Sequence, residues 1–381
     1  MSCDSDLLII GAGPAGSTAA ILMARAGWRV TVVERDDFPR QKVCGECVAA
    51  GNLDLIDDLG VGLEFHGLAG PELRQAGWMR ANRTLRADMP RCPDGKYPFG
   101  RAIGRDRLDA LLLERARAVG ATVLQPATVV AIRGSAGHFV CEYSLGAPHG
   151  GTGRGSYRTL SAAVVVDAHG SWDRGPIFGM ARAERSTPTR RSSDLFAFKA
   201  RFCNTRLERG FLPVLAIEGG YGGMVVSDDE RTTIACCVRR DVLTRCRPAT
   251  PGASAGASVE LLLRRSFPDL GRMLDGAQRE GAWLSVGPIR PGIRVYAGDS
   301  IFRIGNAAGE THPLIGEGIS MALQSATLLA TQLRQISPGA LSSERHSEIQ
   351  QRYNAAWRRA FTHRLRVASG YAHIAMHPFI S

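Results

Sequence analysis

The chain has 381 residues, of which 44% are hydrophobic and 22% are charged. These values are typical of a globular protein whose core is divided over two domains, and they exclude a mainly disordered chain. The net charge is +11, but only three of the 47 basic residues are lysines. We attribute this skew to composition and expect no nucleic-acid partner.

Localisation signals are sparse. No apolar run reaches the roughly 18 residues that a transmembrane helix needs, and the acidic start of the chain is unlike a signal peptide. The nine cysteines are irregularly spaced, which does not indicate a disulfide framework. We therefore expect a cytoplasmic protein.

The chain opens with a strand, a glycine turn, a helix and a second strand. The first strand is Leu7 to Ile10, and the turn reads Gly11-Ala-Gly13-Pro-Ala-Gly16. In this dinucleotide-binding pattern the first glycine permits a tight turn, the second lets the backbone approach a pyrophosphate, and the third permits close packing of the helix. Glu34 ends the second strand, where its carboxylate can accept hydrogen bonds from both hydroxyls of a ribose.

The remaining elements are predicted from apolar periodicity and turn residues. In chain order they are a helix over 105–119, strands over 122–132 and 162–166, short strands over 196–238, a loop over 248–258, a helix over 320–333 and one or two helices over 342–373. Residues 184–194 are polar and aperiodic, and we interpret them as a surface connection between domains, with sequencing-adapter read-through as the alternative. The abrupt ending at Ser381 is consistent with a missing C-terminal tail.

Two later segments indicate which dinucleotide is bound. Val164 to Gly170 reads V-V-V-D-A-H-G, and Ile301 to Gly318 reads I-F-R-I-G-N-A-A-G-E-T-H-P-L-I-G-E-G. Together with the first turn, they resemble the flavoprotein superfamily of para-hydroxybenzoate-hydroxylase fold. That superfamily contains aromatic hydroxylases, geranylgeranyl reductases and tryptophan-type halogenases. The resemblance covers 6–333 and implies FAD as the tightly bound cofactor.

The resemblance also implies an α/β fold with a discontinuous Rossmann-like FAD-binding domain of the para-hydroxybenzoate-hydroxylase type. An inserted mixed β-sheet substrate domain and C-terminal helices complete it. The boundaries that we expect are 1–75, 96–184 and 285–335 for the FAD-binding domain, 76–95 and 185–284 for the substrate domain, and 336–381 for the C-terminal helices.

By the same resemblance, a set of residues would contact FAD. They are Gly11, Gly13, Pro14, Ala15 and Gly16 in the pyrophosphate turn, Glu34 on the adenosine ribose, Arg35 and Val129 near the adenine, Arg105 reaching the flavin or its phosphates, Asn306 on the ribityl chain, and Gly316, Gly318 and Ile319 at the pyrimidine edge of the flavin. At two positions, the chain lacks an aspartate that the hydroxylases of this superfamily have. The hydroxylases have Ala-Asp-Gly where this chain has Ala168-His169-Gly170, and Gly-Asp where it has Gly305-Asn306.

The segment Lys42-Val-Cys44-Gly-Glu46-Cys47 resembles the Lys-x-Cys-Gly-Glu segment of the geranylgeranyl reductases, which lies beside the isoalloxazine. A Cys-x-x-Cys alone is also consistent with a redox pair or half a zinc site. No second Cys/His pair at zinc spacing follows, so we expect no metal. The favoured role is shaping the flavin pocket, with Cys44 and Glu46 as candidate catalytic residues and Glu46 as the proton handler.

Tyr221 is the third candidate catalytic residue. It lies where the reductases carry Tyr-x-Trp-x-Phe-Pro and the halogenases carry Trp-x-Trp-x-Ile-Pro. No Trp-x-Trp occurs in the chain. This absence argues against halogenation and, less strongly, against prenyl reduction.

These observations predict an FAD-dependent oxidoreductase. We favour a monooxygenase that hydroxylates an apolar, phenolic or polyketide-like small molecule through a C4a-hydroperoxyflavin. Because only one dinucleotide fingerprint is present, NAD(P)H would bind transiently, or a partner protein would deliver electrons. The alternatives are a geranylgeranyl-reductase-like enzyme that saturates isoprenoid double bonds and a non-catalytic FAD-binding protein. The basic, aromatic stretch 353–366 is compatible with contact at a membrane surface, although we favour a helix that covers the core.

Overall fold

The computed structural model describes residues 3–146, 157–171, 177–178, 191–246, 254–295, 300–337 and 341–376. The predicted connection over 184–194 lies outside the described residues as far as residue 190. The helices, in chain order, are α1 (Pro14–Arg25), α2 (Leu53–Asp58), α3 (Gly62–Leu68), α4 (Arg105–Ala118), α5 (Arg240–Arg245), α6 (Ala255–Ser266), α7 (Pro268–Met273), α8 (Gly318–Leu333) and α9 (Ser343–Ala375).

The strands alternate with these helices and are numbered in the same way. They are β1 (Ser5–Ile10), β2 (Val30–Val33), β3 (Cys47–Val48), β4 (Gln75–Arg80), β5 (Arg83–Asp88), β6 (Arg101–Ala102), β7 (Thr122–Leu124), β8 (Ala127–Ser135), β9 (His138–Leu145), β10 (Tyr157–Asp167), β11 (Ile177–Phe178), β12 (Leu195–Cys203), β13 (Phe211–Ile217), β14 (Gly220–Val226), β15 (Thr232–Arg239), β16 (Gln278–Ile289), β17 (Gly292–Ile293), β18 (Phe302–Arg303) and β19 (Gly309–Glu310).

The first sheet is mixed and, within the described residues, has eight strands. Its order is β11-β8-β9-β10-β1-β2-β7, and β18 also pairs with β10. β1 runs parallel to both β2 and β10, and every residue of β1 is buried, as expected for a central strand covered on both faces. The carboxyl ends of β1 and β10 therefore open at the same edge of the sheet.

The second sheet has the order β16-β12-β15-β14-β13-β4-β5 in the described part of the chain. Its neighbours are antiparallel, except that β13 and β4 are parallel. On one face, Phe198 packs with Val259 and Leu263 of α6. Because side chains alternate along a strand, Lys199 and Arg201 of β12 lie on the opposite side from their apolar neighbours.

Helices α1, α4, α8 and α9 share a buried apolar cluster with the first sheet. α1 packs against α4 and α8, and α9 packs on α8. The predicted last helices form one helix, α9, whose N-cap Ser342 accepts a 3.2 Å hydrogen bond from the backbone N–H of Arg345. None of the described helices is long and apolar enough to cross a membrane. The fold class predicted from the sequence is confirmed.

One predicted element is wrong at its end. The loop predicted over 248–258 gives way to α6 at Ala255, while 247–253 lie outside the described residues. Ser254 caps this helix by accepting a hydrogen bond from Ala257 N–H. A Cβ at Gly256 would stand 2.4 Å from Cβ of Trp283. The small residues therefore serve close packing of a helix, which their composition alone does not distinguish from a loop.

Candidate functional site

The carboxyl ends of β1 and β10 border a cavity of about 910 Å³. Its lining comes from segments that are far apart in the sequence. Among the predicted cofactor-binding residues, all but Gly16 line it, namely Gly11, Gly13, Pro14, Ala15, Glu34, Arg35, Arg105, Val129, Asn306, Gly316, Gly318 and Ile319. Of the candidate catalytic residues, Cys44 and Glu46 line the cavity and Tyr221 does not. The predicted motifs therefore meet at one place.

The turn between β1 and α1 contains three glycines with different surroundings. Gly11 has a φ of +96°, and a Cβ there would stand 2.7 Å from the carbonyl oxygen of Ala168. A Cβ at Gly16 would stand 1.9 Å from the carbonyl oxygen of Gly11. A Cβ at Gly13, in contrast, would meet only Arg105 Nη2 among the described residues, at 3.8 Å. Protein packing thus explains Gly11 and Gly16, whereas Gly13 keeps space clear at the N-terminus of α1, where a helix favours an anion.

Glu34 is buried directly after β2. Its Oε2 accepts a 2.7 Å hydrogen bond from the backbone N–H of Ala12, and its Oε1 accepts one of 2.9 Å from that of Asp36. Arg40 Nη2 lies 3.9 Å from Oε2. These contacts fix the carboxylate between the glycine turn and the cavity, a position that suits a ribose.

Arg105 begins α4, and a carboxylate one turn later holds its guanidinium. Its Nε and Nη2 donate to the two carboxylate oxygens of Asp109 at 2.7 and 2.8 Å, and Arg40 donates to the same carboxylate at 3.1 Å. Burial alone would lower the pKa of Arg105, but the Asp109 carboxylate raises it above its usual value. The cavity therefore has a fixed positive charge beside Gly13, which suits a phosphate.

The Gly305-Asn306 turn packs on the first glycine turn. Gly305 has a φ of +58°, and a Cβ there would stand 2.9 Å from Cβ of Ala15. Asn306 Nδ2 donates a 3.2 Å hydrogen bond to Ser171 Oγ. α8 then begins at Gly318, so a second helix N-terminus lies at the cavity wall. The glycine of this motif is required by packing, as Gly11 and Gly16 are.

His169 replaces the aspartate of the hydroxylases, yet a carboxylate lies next to it. Asp167, the last residue of β10, is buried. Its Oδ1 accepts a 3.3 Å hydrogen bond from the backbone N–H of His169 and also pairs with Nδ1 of the ring. His169 lines the cavity. Asp167 therefore holds the imidazole at the cavity wall.

Glu46 is fully buried where the loop after β2 meets the second sheet. Its Oε1 pairs with Lys199 Nζ and with Arg201 Nη2, the latter at 2.9 Å. The same oxygen accepts a 3.1 Å hydrogen bond from the backbone N–H of Arg105, and Oε2 accepts one from Thr233 Oγ1. All four partners are donors. This arrangement suits a fixed negative charge better than a group that gives a proton to a ligand.

Cys44 and Cys47 are free thiols, as are the other cysteines of the chain. Cys44 lines the cavity, and its Sγ accepts a 3.3 Å hydrogen bond from the backbone N–H of Glu46. Desolvation raises the pKa of Cys47 to about 12. A thiolate at Cys47 is therefore strongly disfavoured, in contrast to the low-pKa cysteines of redox pairs. This environment favours the pocket-shaping role predicted for the motif.

Tyr221 and His312 form a buried pair beside the cavity. The Tyr221 hydroxyl lies 2.9 Å from His312 Nδ1. Desolvation lowers the pKa of His312 to about 4 and raises that of Tyr221 well above its usual value. Thr311 and Pro313, the neighbours of His312, both line the cavity. The pair is thus neutral near pH 7, and the two neighbours of His312 connect it to the cavity wall.

The residues that hold the predicted site residues in place were not among the predicted ones. Asp109 follows Arg105 by four residues on a predicted helix, and this spacing was an available signal. Lys199 and Arg201 contact Glu46 across more than 150 intervening residues, which no local pattern reveals. Two basic residues within the otherwise apolar strand β12 were the available signal, because buried charges need partners.

Comparison with known proteins gives a consistent result. Residues 4–192 match the family described as the FAD binding domain. A tryptophan 2-halogenase of Chondromyces crocatus is 25% identical in an alignment of 361 residues that covers 91% of this chain and 64% of that protein. A menaquinone reductase of Mycobacterium tuberculosis is 29% identical in an alignment of 341 residues that covers 87% of this chain and 77% of that protein. The chain thus spans less than two thirds of the halogenase.

A solved structure shows the same fold. The myxobacterial chondrochloren halogenase superposes with a TM-score of 0.77 at 23% sequence identity. The superposition covers 95% of this chain and 81% of that chain.

Proposed function

We propose that this chain is an FAD-dependent oxidoreductase, and specifically a monooxygenase that hydroxylates an apolar, phenolic or polyketide-like small molecule. Gly13 and the N-terminus of α1 would hold the FAD pyrophosphate, Glu34 the ribose, and Arg105 a phosphate. When bound and reduced, FAD would activate O₂ for transfer of one oxygen atom to an electron-rich carbon.

The hydrogen bonds and ion pairs of Glu46 favour oxygen transfer over alkene reduction. A reductase that delivers hydride to an isoprenoid double bond must also protonate the second carbon, so it needs an acid at the substrate. Glu46 is surrounded by donors, and Tyr221 is bonded to His312 outside the cavity lining. Cys44 accepts a hydrogen bond from Glu46 N–H. A hydroxylase needs no such acid, but it needs a dry pocket.

An apolar cluster beside the cavity would supply that dry environment. Leu195, Tyr221 and Ile289 of the second sheet are buried against Val43 and Leu314, which belong to loops at the cavity. Such a cluster would exclude water and orient an apolar substrate through shape. NAD(P)H bound transiently, or a partner protein, would supply the electrons.

Saturation of isoprenoid double bonds by a geranylgeranyl-reductase-like enzyme is the second candidate. The menaquinone reductase relative aligns over 87% of this chain. The Cys44-Gly-Glu46 segment, which resembles that of the geranylgeranyl reductases, lines the cavity. We do not propose halogenation, because no Trp-x-Trp occurs in the 381 residues.

Product analysis tests the proposal. The FAD-loaded protein is reduced anaerobically with NAD(P)H or a stoichiometric amount of dithionite, in the presence of chloride, bromide and a panel of phenols, polyketide-like aromatics and isoprenoid quinones. One half of each sample is then exposed to ¹⁸O₂, the other half is kept anaerobic, and the products of both are analysed by mass. We expect one ¹⁸O atom in the product and one O₂ consumed per product. A product that gains two hydrogens under anaerobic conditions would make the reductase the better assignment, and a halogenated product would exclude hydroxylation as the main activity.

A further inference from the structure

Glu46 contacts both the FAD cavity and the second sheet. We propose that Glu46 is a positioning residue, which sets Arg105 and Cys44 at the cavity and uses Lys199 and Arg201 as its counter-cations. This role differs from the proton transfer predicted for Glu46 from the sequence. It rests on the cavity binding FAD and does not depend on whether the reaction is hydroxylation or reduction.

On the cavity side, Glu46 fixes the start of α4 and the cysteine loop, which is the segment 42–47. Its Oε1 accepts the backbone N–H of Arg105, one of the helix N–H groups that have no partner within the helix. A negative charge at this end of a helix is also favoured by the helix dipole. Glu46 itself has a φ of +63°, and its N–H donates to Cys44 Sγ. A shift of Glu46 would therefore move both the Arg105 guanidinium and the Cys44 thiol.

On the other side, Glu46 is bound by the second sheet. Lys199 is completely buried, Arg201 is 3% exposed, and both donate to Glu46 Oε1. Arg201 also donates to Asp106, in the first turn of α4, at 2.9 Å. Two cations thus face two carboxylates, and the cluster is neutral overall. Removing one member of a buried ion pair leaves an uncompensated charge, so each member depends on the others.

Gly104, the residue before α4, is in close contact with residues of the second sheet and its connections. The N–H of Gly104 donates a 2.5 Å hydrogen bond to Asp228 Oδ1. A Cβ at Gly104 would stand 2.0 Å from Arg201 Nη2 and 2.8 Å from Asp228 Oδ1. Carboxylates from both the cysteine loop and the second sheet therefore bind the start of α4. The position of Arg105 at the cavity consequently depends on this cluster.

Titration of the apoprotein with FAD tests the proposal, because affinity and the flavin absorption spectrum report position without turnover. Glu46→Gln and Lys199→Met should each weaken FAD binding about tenfold or more and shift the flavin absorption band. In the double variant no buried cation is left without its carboxylate, so the loss should be clearly smaller than the product of the two single losses. Glu260→Gln is the matched control, since Glu260 also accepts from two arginines but does not line the cavity. It should keep FAD affinity within about twofold.

Two results would overturn the proposal. One is normal FAD affinity and a normal spectrum in Glu46→Gln with loss of turnover only, which is what a proton donor predicts. The other is independent, multiplying losses in the double variant. If Glu46→Gln does not fold, Thr233→Val removes one donor without a charge. It should weaken FAD binding about threefold or more, and unchanged affinity would contradict the proposal.

Discussion

Gly16 lies so close to Gly11 that a Cβ on Gly16 would stand 1.9 Å from the Gly11 carbonyl oxygen. Gly13 lies between them in the sequence, and in the part of the chain that the structure describes only Arg105 Nη2 lies within 4 Å of such a Cβ. The same turn thus contains glycines that the fold requires and one glycine that a ligand requires. The two kinds can be separated by mutation.

Gly13→Val should abolish FAD binding and leave the fold intact, because the new side chain fills the space of the pyrophosphate while meeting little protein. Gly16→Val should instead destabilise the protein by about 3 kcal/mol or more through overlap with backbone. Thermal unfolding of the apoproteins and FAD titration distinguish the two effects. Normal FAD affinity in a folded Gly13→Val protein would show that this turn does not hold the cofactor.

Glu34→Ala should weaken FAD binding by about 1–3 kcal/mol, because hydrogen bonds from the ribose to a charged acceptor are lost. The measurement is the FAD dissociation constant, with Glu64→Ala as the control because Glu64 is exposed on α3. If Glu34→Ala binds FAD as tightly as the wild type does, the carboxylate serves only to hold Ala12 and Asp36.

Cys47→Ser should leave turnover within about twofold of the wild type, since the high pKa of Cys47 disfavours the thiolate that a redox pair needs. Turnover and flavin content are measured together, and thiol titration before and after turnover is the check on oxidation state. A folded, flavin-loaded variant without turnover would instead support a catalytic dithiol.

The fold class and the segments that line the cavity could be predicted from the sequence motifs, whereas the contacts that hold these segments in place could not. Glycine spacing and the acid at Glu34 follow from a single βαβ unit, so a short stretch of chain contains the whole signal. The cluster around Glu46 depends instead on how the second sheet meets α4. Lys199 and Glu46 are 153 positions apart, and only tertiary structure brings them together. For the same reason, Tyr221 could be placed on a strand but not outside the cavity.

Acid should destabilise the protein through its buried histidines. Desolvation lowers the pKa of His346 to about 4 from an ordinary value of 6.5. The neutral ring therefore contributes stability above pH 6.5, and this contribution is lost as the pH falls through 4. For a buried group, the difference between these two pKa values corresponds to about 3 kcal/mol in the free energy of unfolding. The free energy of unfolding of His346→Gln should fall less than that of the wild type over this range.

His363→Gln is the control for this prediction, because His363 is exposed on α9. It should keep the pH dependence of the wild type. An equal loss of stability in His346→Gln and the wild type would show that His346 is not buried in its neutral form.

The most direct test of the account is the identity of the flavin released when the purified protein is denatured. The purified or FAD-reconstituted protein should be yellow and release about one FAD per chain, because Gly13 and Glu34 provide sites for a pyrophosphate and an adenosine ribose that FMN lacks. Release of FMN, or a colourless protein that cannot be reconstituted with FAD, would contradict it.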